Sequence, residues 1–105
     1  MTDNASDQHR VEVVEAPDLG RFEIRVDGEL AGAAYYRVPA PGHVDFIHTE
    51  IEDAYAGQGL AGKLATAALN EVRATGRRAI PHCPFIASFI KKHPEYEDIT
   101  DWPTR

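Results

Sequence analysis

Thiols, positive charge and long apolar runs are all scarce in this chain. Cys83 is the only cysteine in 105 residues, so no intrachain disulfide can form, and a reducing compartment, the cytoplasm, is the expected setting. Lysine and arginine total 11 against 17 acidic residues, a formal net charge of -6. That deficit argues against nonspecific nucleic-acid binding, which needs surplus cations to neutralise phosphates, but it leaves room for a small anion held by local geometry. No segment reaches the roughly 18 apolar residues of a membrane-spanning helix, and the opening MTDNASDQHR lacks the apolar core of a signal peptide. Neither a membrane nor export is expected. Five histidines occur without paired cysteines or an H-x-x-x-H spacing, so no metal is expected either.

What is present is ordinary globular material, 43% hydrophobic and 27% charged, enough for a single core. Residues 1–9 are polar and without period and read as a disordered leader; residues 10–105 read as one domain. VEVVEA suggests a first strand. From Arg21 to Asp27, Phe22, Ile24 and Val26 alternate with charged residues, the period of a half-buried strand. Asp27-Gly28 is a hairpin signal, and LAGAAYYRV beyond it resumes an extended pattern. Pro39, Pro41 and Gly42 end that meander, and HVDFIHTEIE gives a fourth strand. Leu60, Leu64, Ala67, Ala68 and Val72 then recur at helical spacing until Gly76. RRAIPHCPFI reads as a short fifth strand cut by prolines, and ASFIKKHPEYEDI as a second helix ending near Pro94. The expected order is β-β-β-β-α-β-α, an α+β domain with one crossover helix.

The unusual stretch is DAYAGQGLAGKL, which places Gly57, Gly59 and Gly62 at the entrance to that helix. Each glycine within a helix costs about 1 kcal/mol relative to alanine. A strand leading through glycines into a helix start presents unpaired N–H groups and the positive end of the helix dipole, which together suit a phosphate. A tight turn with close helix packing is the plainer alternative. The letters G-x-G-x-x-G occur at positions 57–62, but no parallel βα unit precedes them, and the P-loop pattern is missing.

The stretch AGQGLAGKL resembles the acyl-CoA pyrophosphate loop of the GNAT N-acetyltransferase superfamily, whose pattern is [Q/R]-x-x-G-x-[G/A]. It falls on residues 56–61, where Gly59 and Ala61 match and Ala56 replaces the usual Gln or Arg. HTEI, GQGLAGKL, PHCPF and HPEY in this order resemble the small single-domain members of that superfamily, over roughly residues 10–100. The resemblance implies an antiparallel sheet splayed between strands four and five, with the pantetheine arm of acetyl-CoA in the gap. It also implies binding of the cofactor by Gly57, Gln58, Gly59, Leu60, Ala61, Gly62 and Lys63.

Acetyl transfer to an amine needs a base for the amine, donors for the oxyanion and an acid for the leaving thiolate. The period of strand four puts Phe46, His48 and Glu50 on one face, so His48 or Glu50 is a candidate base, and backbone N–H groups of that strand are candidate oxyanion donors. A solvated pair is the alternative. Cys83 is a candidate nucleophile, acid or mere lining group; His82 beside it points to the opposite side of an extended chain and is a poor base for it. Lys63, Lys91 and Lys92 are candidate phosphate partners, with Arg77 and Arg78 further off, while His43 and His93 read as loop residues. The expected activity is direct acetyl transfer to a small or protein amine, the acidic balance favouring a cationic acceptor. A noncatalytic acyl-CoA-binding module and a protein-interaction domain remain as rivals.

Overall fold

The computed structural model describes residues 10–104; the leader expected at 1–9 lies outside them. Strands β1 (Val11–Ala16), β2 (Arg21–Val26), β3 (Glu29–Arg37) and β4 (His43–Ile51) form an antiparallel meander. Helix α1 (Leu60–Ala74) then crosses to β5 (Arg78–Pro81), which lies parallel to β4 at the end of the five-stranded sheet. Helix α2 (Pro84–Lys92) and a 3-10 segment, Pro94–Ile99, complete the chain's regular structure. The expected α+β order holds.

Local chemistry accounts for the joints. Asp27 and Gly28 both adopt positive φ, 52° and 86°, the turn whose twist matches that of the paired strands. Phe22, Ile24 and Phe46 point to one face of the sheet and join Leu64, Leu69 and Val72 of α1 and Ile86 and Ile90 of α2 in a single core. Among the described residues the other face carries no helix from this core: Arg21, Glu23, Tyr35, His48 and Glu50 stand there in register. The sheet is thus helical on one side and polar on the other.

Three expectations change. The fifth strand stops at Pro81, because Pro84 starts α2 three residues later, so α2 begins before Ala87 rather than at it. His43 opens β4, as the HVDFIHTEIE strand reading has it, and does not lie in the loop. Phe46 and His48 do not share a face, because the β3–β4 register shifts between Tyr35 and Tyr36, pairing Tyr36 with Phe46 and Tyr35 with His48. Ile47 is the extra residue of this bulge. A bulge breaks the period of two, sending Phe46 to the core and His48 with Glu50 to the open face.

Candidate active site

β4 and β5 pair only from His43–Arg78 to Phe46–Pro81. The last link is the Cys83 N–H donating to the Phe46 carbonyl at 2.7 Å; beyond it α2 carries the chain away while β4 continues to Ile51. The two strands therefore open like a V whose vertex lies at Phe46 and Pro81, the splay expected between strands four and five.

On the helical side, α1 begins without the usual stabilisers. Gly59 occupies the N-cap at φ 73°, offers no side-chain acceptor, and the first turn holds no acidic residue. Lys63 follows one turn in, a position where the helix dipole disfavours a cation. Gly62 adopts ordinary helical backbone, and a Cβ there would meet nothing within 4 Å. Neither strain nor packing within the described chain explains that glycine, although it weakens the helix by about 1 kcal/mol. Gly59, Gly62, Lys63, Thr66, Ala67 and Asn70 line up along α1, with Phe89 of α2 opposite, around an open cleft of about 520 Å³. An anion at the head of this cleft would satisfy the free N–H groups, the dipole and Lys63 together.

On the open side, His48 Nε2 lies 3.3 Å from Glu50 Oε1, and the Tyr35 hydroxyl donates to Glu50 Oε2 at 3.2 Å. The Tyr35 ring stacks on His48 with centroids 5.9 Å apart, and Arg21 donates to the Tyr35 hydroxyl. His48 and Glu50 are both well exposed, 61% and 50% for their side chains. Next to the vertex, Asp45 is buried and bonded on both sides, to Arg37 Nε at 2.9 Å and to His82 Nδ1 at 2.6 Å.

Cys83 is the N-cap of α2 and is buried, its Sγ 3.4 Å from the Thr49 hydroxyl. It has the vertex on one side and, among the described residues, no imidazole bonded to it. Of the loop residues, Gly59, Gly62 and Lys63 line the cleft; Gln58 turns instead towards Val26, Asp27 and Tyr55, and Leu60 is buried in the core. Gly57 and Ala61 complete the turn and the first helical turn around them. Lys91 lies over the Trp102 ring, 5.6 Å from its centroid, and neither it nor Lys92 lines the cleft. Arg77 is committed to Glu15 and Arg78 to Asp101. The Asp45–His82 pair is the feature that sequence reasoning missed.

Residues 21–99 match the family model described as GCN5-related N-acetyl-transferase. The chain belongs to the GCN5-related N-acetyltransferase family. It is 37% identical over 75 residues to Protein NATD1 of Bos taurus, covering 70% of this chain and 66% of that protein. With Protein NATD1 of Danio rerio it is 35% identical over 79 residues, 72% of each. The chain thus spans about two thirds of the length of these curated relatives. The solution structure of a GCN5-like protein from Staphylococcus aureus superposes with a TM-score of 0.66 at 22% identity, over 90% of this chain and 91% of that one. That likeness establishes the GCN5-related fold.

Proposed function

We propose that this chain is an acetyl-CoA-dependent N-acetyltransferase that passes the acetyl group directly to an amine. The observation that carries the reading is Gly62. A glycine inside a helix, unstrained and untouched by any side chain, weakens α1 and is accounted for by a ligand lying on that surface. The pyrophosphate of acetyl-CoA sits at the N-terminus of α1 beside Lys63, and the pantetheine arm follows the cleft between α1 and Phe89 towards the vertex. The thioester enters the V, where the edge of β4 beyond Phe46 has backbone groups free of strand pairing to receive the carbonyl. Cys83 flanks the sulfur. The acceptor amine arrives from the open face, where the Glu50 carboxylate is half exposed.

A calorimetric titration of the protein with acetyl-CoA tests the reading, with Gly62→Glu as the informative variant. Gly62 tolerates a side chain without backbone strain, unlike Gly59 at positive φ, so the variant keeps its fold while placing a carboxylate in the cleft. Saturable binding by the wild type, weakened at least about tenfold in Gly62→Glu, is the expected result. No binding by the wild type removes the transferase reading and returns the glycines to a purely structural role.

A further inference from the structure

The Asp45–His82 pair is built like a proton-transfer device, and nothing in the cofactor cleft requires it. Asp45 and His82 lie 37 positions apart in sequence and meet because the parallel register sets Asp45 opposite Ile80 and Phe46 opposite Pro81. His82 is fixed from both ends: its own N–H donates to the Ile80 carbonyl, and the next residue, Cys83, donates to the Phe46 carbonyl. The His82 backbone therefore stands at the vertex of the V, and its imidazole lies against Asp45 beside it.

Orientation follows from burial. The Asp45 side chain is 3% exposed and that of His82 is 46%. A carboxylate removed from water and 2.6 Å from Nδ1 holds the ring with Nδ1–H as the donor. The lone pair is then left on Nε2, and among the described residues Nε2 has no hydrogen-bond partner. Asp45 alternates with Phe46 along β4, so it lies on the open face, as do His48 and Glu50. Glu50, half exposed and screened by water, gives His48 a weaker anchor.

We propose that His82 is the general base of the transfer, with Asp45 as its positioning residue; this rests on the transferase reading above. A neutral amine entering from the open face bonds to the thioester carbonyl carbon, and its surplus proton passes to His82 Nε2. The carbon–sulfur bond breaks, CoA leaves as the thiolate, and the imidazolium returns the proton to sulfur through solvent. Acetyl-CoA and amine give acetamide and CoA thiol, with no oxidant, metal or other reactant. Buried Asp45 stabilises the imidazolium without taking the proton itself.

The test compares wild type, His82→Gln and Asp45→Asn in the full chain. Acetyl-CoA binding is read by calorimetry, and CoA release by thiol titration with spermidine and with Nα-acetyl-lysine amide as acceptors. Glutamine keeps a hydrogen bond to Asp45 but cannot accept the proton. His82→Gln is expected to bind acetyl-CoA within about twofold of wild type and to transfer at least about a hundredfold more slowly. Nitrogen NMR of the neutral wild-type imidazole is expected to show the Nδ1–H tautomer, a preference that Asp45→Asn erodes along with the rate. Equal rates in wild type and His82→Gln, both at background included, overturn the proposal; so does an Nε2 that is protonated throughout. Loss of acetyl-CoA binding in the wild type itself is a distinct signature, which removes the underlying transferase reading as well.

Discussion

Glu15 shows how a single side chain ties distant parts of this chain together. Its carboxylate accepts two hydrogen bonds from Arg77, at 2.9 and 3.0 Å, and one from the Tyr36 hydroxyl at 2.5 Å. The Arg77 guanidinium holds the carboxyl below its ordinary value, while partial burial works in the opposite sense. Burial, then the Glu15 carboxylate, pushes the Tyr36 phenol up to about 12. A carboxyl depressed in the folded state contributes stability that is complete above its unfolded value, about 4.3. That contribution is lost as pH falls through the folded value. Glu15→Gln is therefore expected to lower stability by about 1–3 kcal/mol at neutral pH and to lose less than wild type on acidification. Urea unfolding at neutral pH and near pH 3 checks both halves; parallel losses in the two proteins would contradict the assignment.

The elements differ in how openly the sequence announces them. β2 was legible because Phe22, Ile24 and Val26 alternate without interruption, and α1 because its apolar residues recur at helical spacing up to Gly76 at φ 71°. The V between β4 and β5 was legible only through family resemblance. Two features resist local reading. The bulge at Ile47 leaves no mark in composition, since it depends on how β3 pairs with β4, and it reverses which face Phe46 shares. Likewise Asp45 and His82 meet only through the β4–β5 register; the flanking Pro81 and Pro84 were the sole local hint that His82 stands at a fixed corner. At this scale α2 is the wall of the cleft, and Ile86 and Ile90 anchor it to the core fully buried. Ile86→Ala is expected to cost about 2–5 kcal/mol, read as a lower urea midpoint, and to weaken acetyl-CoA binding without altering any residue that lines the cleft.

For the whole molecule, the two faces of the sheet divide the labour proposed for it: a cleft on the helical side for the cofactor, a polar face on the other for the acceptor, and the V as the passage between them. Among the described residues no helix is long and apolar enough to cross a membrane. The sheet's two borders are treated unequally. On the β5 side the tail pairs in parallel through Thr100 with Ala79, the Asp101 N–H donates to the Ala79 carbonyl at 2.8 Å, and Arg78 grips the Asp101 carboxylate. On the opposite border β1 covers β2 and delivers Glu15 to Arg77. Residues 21–99, the stretch that matches the family, contain neither cover. A fragment trimmed to those limits would bare the backbone of β2 and β5 at once, two sticky margins on one small sheet. It is expected to self-associate on gel filtration more strongly than residues 10–104, in which β1 is the border strand. The family match and the strand pairing at the two borders thus end at different residues.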